Sequence, residues 1–307
     1  MNKLKKILPL LLLILFLSII AFYYKNNESD FFAIKQLDQL LLVQIILLCI
    51  LYLLTEGLIL RNIVMFLGEK IYFFQSFLIM NATYFCNTFI QFSGLGYRVY
   101  YLKKFKNLKI SEILRFSIDT IVCEILIFSL IGVLTILYID FYSEKIKISP
   151  ILYILFIAFF LSSTIYLIFL KQIILGIKYL FNQLNLTLFD KVIQTFLIKK
   201  KNIFSFYKDQ FLVFLFQYII LFFIFFLILK KINVENHTYL SFLITSLVDF
   251  SFLIALTPYS VGISEFITFF GTRDIPLSFA EIIILINVFR ICMLLIYFIF
   301  GPIFILI

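Results

Sequence analysis

Long apolar runs separated by short polar connections make up almost the whole chain. A run of about 18 apolar residues is long enough to cross a bilayer as a helix. Runs of that length lie at 7–24, 37–60, 111–139, 151–170, 211–229 and 279–306. The pattern predicts an all-α integral membrane protein that forms a single polytopic membrane domain over 1–307, with about six full spans.

A further apolar stretch, 71–97, is interrupted by small and polar residues and predicts a hairpin. Gly94 and Gly96 disfavour a continuous helix, so we expect a turn there. Arg98 and four lysines follow by Lys109. A full crossing would place these basic residues outside, against the positive-inside rule. A re-entrant hairpin that turns within the membrane keeps them inside, and an eight-span topology stays open as the alternative.

A second interrupted stretch, 238–272, also predicts a re-entrant hairpin. Its apolar helix stops at Pro258, and Ser260 and Gly262 follow before Glu265. Irregular backbone at membrane depth is tolerated only where protein shields it or where it lines a wet cavity. Both hairpins are therefore predicted to face the interior of the protein.

Span, hairpin and span recur along the chain. The two sets occupy 37–139 and 204–306, with a connector at 140–203. In the predicted topology the second set runs through the membrane in the reverse direction. Inverted repeats with broken helices are typical of transporters whose substrate site lies at the repeat interface. Within the connector, lysines alternate with apolar residues over 171–210, which predicts interfacial helices.

Composition and charge agree with this class. Hydrophobic residues make up 64% of the chain and charged residues 14%, which excludes an ordinary soluble domain. The net charge of +9 indicates a membrane surface rather than nucleic acid, since Lys and Arg collect in cytoplasmic loops and at anionic headgroups. The four cysteines lie in apolar segments without paired spacing and predict buried thiols, not disulfides or a metal site.

The N-terminal segment sets the predicted orientation. Basic residues within 1–6 precede the first apolar run, and no small-residue cleavage site follows it. We expect an uncleaved first helix with a cytoplasmic N-terminus. The second span then closes with Glu56 and Arg61 near the inner face.

Two short blocks carry a resemblance to a known family. The run 81–104, centred on Ser93-Gly94-Leu95-Gly96-Tyr97-Arg98, resembles the first signature block of the flippase-like membrane domain of lysylphosphatidylglycerol synthases and their stand-alone relatives. The block 258–265 is similar to the later one, although Gly262 stands alone where the family has a glycine cluster. The resemblance implies translocation of a lipid or a lipid-linked group across a bacterial cytoplasmic membrane. The synthases also carry a soluble aminoacyl-transfer domain; none follows here, so lysyl transfer is not expected.

Charged residues within the predicted membrane segments are the main candidates for function. Each costs about 2.5–3.5 kcal/mol near the bilayer centre, so it needs a partner, a wet cavity or a task. Arg98 is either a positive-inside anchor or a guanidinium fork for a lipid phosphate. Asp249 and Glu265 are either counter-charges for a cationic headgroup or partners of Arg290. The candidate substrate-binding set is Arg98, Gly94, Gly96, Asn81, Asn87, Asp249, Ser260, Gly262, Glu265, Arg290 and Glu124.

Three functions fit the sequence. The first is a flippase-like transporter whose partner is a membrane lipid, either an anionic phospholipid or a lipid-linked glycan. The second is a membrane-embedded enzyme, which the single histidine and the scattered carboxylates disfavour. The third is an accessory scaffold for a lipid-modifying enzyme, and a homo-oligomer is also open. We expect no cofactor and no metal. The sequence shows no phosphate-cradling loop, so direct use of ATP is not expected.

Overall fold

The computed structural model describes residues 37–90, 93–142, 150–183, 203–253, 263–272 and 277–306, and almost all of them are helical. The helices are α1 (Gln39–Phe66), α2 (Phe73–Phe89), α3 (Ser93–Lys106), α4 (Ile110–Tyr142), α5 (Pro150–Gln183), α6 (Ile203–Lys231), α7 (His237–Leu253), α8 (Ile263–Gly271) and α9 (Phe279–Leu306). This confirms the all-α class. The predicted first span, 7–24, lies outside the described residues.

Five of these helices contain a segment long and apolar enough to cross a membrane. The segments are Gln39–Phe66, Ile110–Phe141, Pro150–Phe169, Ile203–Lys231 and Glu281–Pro302. They correspond to the predicted spans that fall within the described ranges, so the protein is a multi-pass membrane protein. Many large hydrophobic side chains on these helices are exposed on the outside of the bundle. Such a surface suits contact with lipid, which is the expected surroundings of apolar helices of this length.

Several helices are longer than the sequence predicts. The fifth helix continues to Gln183, and α6 begins at Ile203, so much of the predicted interfacial region at 171–210 belongs to two long helices. A helix of 34 residues is about 51 Å long and exceeds a hydrocarbon core of about 30 Å. The helix therefore extends beyond the core.

The first hairpin consists of α2 and α3, which pack against each other. The Lys106 ammonium group at the end of α3 donates to the Lys70 carbonyl just before α2, at 2.7 Å, and Gln75 Nε2 donates to the Tyr101 hydroxyl at 2.8 Å. The hairpin therefore returns to the end of the bundle from which it starts. We call this the basic end, because it carries Lys70, Lys103, Lys104, Lys106 and Lys109.

The predicted turn in this hairpin is misplaced. Gly94 and Gly96 lie inside α3, and the preceding helix ends at Phe89 with Ile90 extended. The arms contain 17 and 14 residues, or about 26 Å and 21 Å, so each is shorter than a full crossing. Arg98 and the lysines up to Lys106 consequently lie on the returning arm and do not follow it.

The opposite end of the bundle is marked by Asp38 and Lys231. The Lys231 ammonium lies 2.6 Å from Asp38 Oδ2, joining the end of α6 to the start of α1, so these helices are antiparallel. Asp38 also caps α1 by accepting from the Leu41 N–H at 2.8 Å. The hydrogen bond from Lys231 and that from Leu41 hold the pKa of the Asp38 carboxyl below its ordinary value.

The helices form two units, α1–α4 and α6–α9, and the contacts made by helices of one unit have counterparts in the other. Where α1 packs on α2, α6 packs on α7; where α2 packs on α9, α7 packs on α4; the hairpin pairs α2–α3 and α7–α8 also correspond. Helices α1 and α6 pack on each other across the centre, and α5 contacts α4 without a counterpart among the described helices. Each hairpin is thus held between its own unit and the last helix of the other. The inverted repeat over 37–139 and 204–306 stays a prediction that this packing supports.

Candidate functional site

The first hairpin is closed by contacts that only small residues permit. A Cβ atom on Gly94 would lie 1.9 Å from the Thr83 carbonyl oxygen, so the two arms approach too closely for any side chain there. The Gly94 N–H donates to Asn87 Oδ1 at 2.8 Å, and the Ser93 hydroxyl donates to the Cys86 carbonyl at 2.7 Å. Close approach through glycine is a common way for membrane helices to pack. Gly94 and Asn87 therefore have a structural task in the hairpin.

Asn81 and Gly96 occupy different settings in the same hairpin. Asn81 is fully buried on α2, where its amide nitrogen donates to the Phe77 carbonyl at 2.8 Å. Its Oδ1 atom has no hydrogen-bond partner within the described part of the chain. Gly96 is exposed, and a Cβ atom added there would meet nothing within 4 Å. Of these two predicted site residues, Asn81 alone points a buried polar atom into the bundle.

Arg98 lies on α3, and its side chain reaches α2 and α4. Its Nη2 atom donates to the Ser117 hydroxyl at 3.2 Å, and Nη1 lies 3.6 Å from the Met80 sulfur. Its Nε atom is buried and has no hydrogen-bond partner in the ranges that the structure describes. A guanidinium carries five donors, so these contacts leave much of its capacity unused. The Glu56 carboxylate attracts it electrostatically.

Glu56, predicted near the inner face at the end of the second span, lies on α1 and is buried between helices at 6% exposure. Gln217 of α6 donates to its Oε1 at 2.7 Å, and the Tyr84 hydroxyl of α2 also hydrogen-bonds to it. Three helices converge on this carboxylate, so it lies at the junction of the two units.

Asp249, which is buried, and Glu124, which is half-buried, complete a group of acids around Glu56. Glu124, one of the candidate residues, occupies the middle of α4, which packs on the helix that carries Asp249. Asp249 is 2% exposed, and its Oδ2 atom has no hydrogen-bond partner in the described ranges. The three carboxylates repel one another electrostatically. We call Glu56, Glu124 and Asp249 the carboxylate cluster.

Arg290 and Glu265 form a separate buried ion pair. Arg290 Nη1 lies 2.5 Å from Glu265 Oε1, and the guanidinium also donates to Asn287 Oδ1 at 3.2 Å and to the Ser264 hydroxyl. This confirms the prediction that Arg290 has an acidic partner, and it selects Glu265 from the candidates. The pair joins α8 to α9 and so fastens the second hairpin to the last helix. Asp249 does not share this role.

Another buried network lies toward the basic end. Asp119 accepts hydrogen bonds from the Tyr166 hydroxyl at 3.0 Å and the Tyr207 hydroxyl at 3.2 Å, and Arg115 Nε lies 3.8 Å from it. Arg115 and Asp119 lie four residues apart, a spacing that by itself predicts their contact on one helix face. Because the tyrosines belong to α5 and α6, the network ties three helices together.

The predicted site residues therefore divide into groups. Glu124 and Asp249 belong to the carboxylate cluster, and Arg98 is linked to that cluster through Glu56. Glu265 and Arg290 form the ion pair that joins the second hairpin to α9. Ser260 and Gly262 lie outside the described residues. The prediction that the cysteines are buried thiols is confirmed for Cys49, Cys123 and Cys292, and Cys86 is half-buried; all four are free.

The residues that sequence reasoning missed are Glu56, Tyr84 and Gln217. A local signal existed for the first of them, because Cys49, Tyr52 and Glu56 are spaced by three and four residues and so share one helix face. That face is buried along α1. Nothing local identified Tyr84 or Gln217, which meet Glu56 only through tertiary packing.

Fold and site together define the class: a polytopic α-helical membrane protein with two interior hairpins and buried charged side chains between its two packed units. The chain belongs to the family described as the lysylphosphatidylglycerol synthase TM region, whose family model matches residues 6–301. It is thus a membrane protein related to lipid metabolism or transport. No curated protein and no solved structure matches the chain.

Proposed function

We propose that this protein is a flippase-like transporter that moves a phospholipid or a lipid-linked headgroup across the bacterial cytoplasmic membrane. The N-terminus is cytoplasmic in this proposal, so the basic end faces the cytoplasm under the positive-inside rule. The family, which is related to lipid metabolism or transport, supports the lipid substrate. Headgroups are polar and cannot cross hydrocarbon unaided, so a carrier must offer them polar side chains within the membrane.

The observation that carries the proposal is the setting of Arg98. Its guanidinium has a thioether and one hydroxyl as its hydrogen-bond partners and retains a buried Nε without a partner within the described ranges. A planar guanidinium binds phosphate oxygens in pairs, which favours a phosphate-bearing headgroup as its missing ligand. Arg98 lies on a hairpin arm beside the junction of the two units, where the substrate site of an inverted-repeat transporter is found. We infer an anionic phospholipid or a lipid-linked phosphate glycan as substrate.

Transport is favoured over catalysis by the way the polar groups are distributed. The carboxylate cluster, Arg98 and the ion pair of Glu265 with Arg290 are spread over both hairpins and the central helices, as a path for a headgroup requires. A hydrolytic or transfer enzyme would bring a nucleophile and its base together at one point. The scaffold alternative predicts no lipid movement at all and is tested by the same assay.

The test is the substitution Arg98→Lys in purified protein reconstituted into vesicles. Lysine keeps the positive charge and loses the bidentate fork, so we expect loss of movement of a fluorescent anionic phospholipid with protein amount and orientation unchanged. The matched control is Ser117→Ala, which removes a hydrogen bond to Arg98 and leaves the fork intact. That variant should keep most of its activity.

Either of two results would overturn the proposal. Wild-type transport by Arg98→Lys would show that Arg98 only anchors the hairpin, since lysine serves equally well as an anchor. Unchanged lipid distribution across the membrane of cells that lack the protein, together with inactive wild-type vesicles, would favour the accessory scaffold for a lipid-modifying enzyme.

A further inference from the structure

Asp249 is a buried acid with no cation beside it in the described part of the chain. It is 2% exposed, and its Oδ2 atom has no hydrogen-bond partner there. The ionisable groups that face it from the helices around α7 are Glu124 of α4, Glu56 and Tyr52 of α1, and Tyr218 of α6. Helix α8, which also packs on α7, carries Glu265, and that carboxylate is committed to Arg290.

The other members of the carboxylate cluster do not supply the missing positive charge. Arg98 attracts Glu56, which also receives hydrogen bonds from Gln217 and Tyr84. Glu56 is therefore compensated. Glu124 and Asp249 repel each other, and both are also repelled by Glu56. An ionised Asp249 would carry the cost of burial, and an ionised Glu124, half-buried on the neighbouring helix α4, would also repel it.

We propose that Asp249 and Glu124 form a proton-binding site that couples proton movement to transport of the headgroup. A proton taken from water binds a carboxylate oxygen, neutralises one charge, and is later released to water from the same oxygen, so no other reactant is required. A proton fits better than a metal ion, because no group of three or more His, Cys, Asp or Glu side chains in the described ranges is placed to hold a metal. This inference rests on the proposed function for its coupling, and not for the binding of the proton.

Arg98 supplies the link between proton and headgroup. When an anionic headgroup binds Arg98, it competes with Glu56 for the same guanidinium and adds negative charge beside the carboxylate cluster. Proton binding to the cluster then becomes more favourable, and by thermodynamic reciprocity a bound proton strengthens headgroup binding. The two therefore move together, and the lipid is carried toward the alkaline side.

The first experiment measures proton binding without any transport. Infrared spectra of the full chain in lipid nanodiscs, recorded in H2O and D2O at a neutral pH where exposed carboxylates are ionised, should show the C=O band of a protonated carboxyl. Asp249→Asn should lose part of that band, and Asp249→Glu should retain it at a shifted position. The control is Asp209→Asn, which makes the same change at an exposed position and should leave the band unchanged. Equal bands in wild type and Asp249→Asn overturn proton binding at Asp249.

The second experiment measures coupling in vesicles with an imposed pH gradient. Movement of a fluorescent phosphatidylglycerol from the outer leaflet should be several-fold faster with the outside acidic than with the outside alkaline. Asp249→Asn should move the lipid at one rate in both gradients. A wild-type rate that ignores the direction of the gradient overturns the coupling, even if the infrared band is lost in Asp249→Asn. Wild-type vesicles that move no lipid under any gradient overturn the proposed function and leave the infrared result standing.

Discussion

Arg98 and Arg290 are both arginines inside the bundle, and their surroundings give them different tasks. Arg290 has a carboxylate, a hydroxyl and an amide oxygen as partners, and this pairing offsets the cost of burying its charge. Arg98 has a hydroxyl and a thioether in direct contact, and no carboxylate among the described residues forms an ion pair with it. Arg290 therefore stabilises a hairpin. Arg98 retains donors for a ligand, which is why the proposal for headgroup binding rests on it.

Glu265→Gln tests the structural task of the ion pair. The substitution leaves the Arg290 guanidinium buried without its carboxylate, so we expect a loss of about 3–5 kcal/mol in stability. The measurement is thermal or denaturant unfolding of the purified protein in a mild detergent. Replacing both partners by glutamine should restore part of the loss, because no isolated charge then remains.

The matched control for that variant is Lys231→Gln, which breaks the ion pair with Asp38 at the opposite end of the bundle. This pair is partly exposed, and such pairs contribute little to stability. Its unfolding midpoint should stay close to that of the wild type. Equal losses of stability in Glu265→Gln and Lys231→Gln would show that the buried Arg290 pair contributes no more to stability than the exposed pair.

At the scale of elements, the hairpin of α2 and α3 shows how two glycines in one helix differ. Both were predicted to form a turn, because glycine disfavours helices. Gly94 instead permits the contact between the arms, and Gly96 faces open space. A membrane helix tolerates glycine when close packing with a neighbour compensates for its poor propensity. The physical reason for Gly94 is thus its tertiary neighbour, Thr83.

Substitution of these glycines by alanine separates packing from propensity. Gly94→Ala would place a methyl group 1.9 Å from the Thr83 carbonyl oxygen, so the arms must move apart at a cost of about 1–3 kcal/mol. Gly96→Ala meets no neighbour and should be neutral or stabilising by about 0.5–1 kcal/mol. Unfolding midpoints in detergent, with limited proteolysis of the hairpin, measure both effects. Similar behaviour of the two variants would contradict the close packing at Gly94.

At the scale of the whole molecule, the bundle brings two hairpins into one membrane domain. The first hairpin returns to the basic end, where Lys106 contacts the backbone of Lys70. Asp38 and Lys231 lie together at the opposite end. The contacts between the two units place α1 and α6 at the centre of the bundle, with a hairpin on either side. This arrangement predicts which loops share a side of the membrane.

Cysteine labelling in intact cells tests that topology. Glu69→Cys and Lys106→Cys flank the first hairpin at the basic end, and both should react only after the membrane is made permeable. Asp38→Cys should react from outside, in a background in which the four native cysteines are replaced. Labelling of Lys106→Cys from outside, with Glu69→Cys protected, would mean that the hairpin crosses the membrane and would remove the basis of the inverted repeat.

The sequence alone determined the class, the approximate position of the spans within the described residues, the existence of two interruptions and the family resemblance. These features follow from the length of the apolar runs and from the local breaks in them, because bilayer thickness sets the length of a span and unsatisfied backbone groups are not tolerated in lipid. It also determined the pairing of Arg115 with Asp119, because residues four apart share a helix face. A contact of this kind requires no knowledge of neighbouring helices.

Only the tertiary structure decided which buried charges meet. Helices such as α1 are apolar on every side, so no amphipathic stripe shows which face points inward. Glu56 and Gln217 lie 161 residues apart and come together because α1 and α6 pack at the centre of the bundle. The same packing pairs Glu265 with Arg290 and places Asp249 near other carboxylates. In a membrane protein, which side chains meet depends on how the helices are rotated and cross, and the hydrophobic pattern does not specify this.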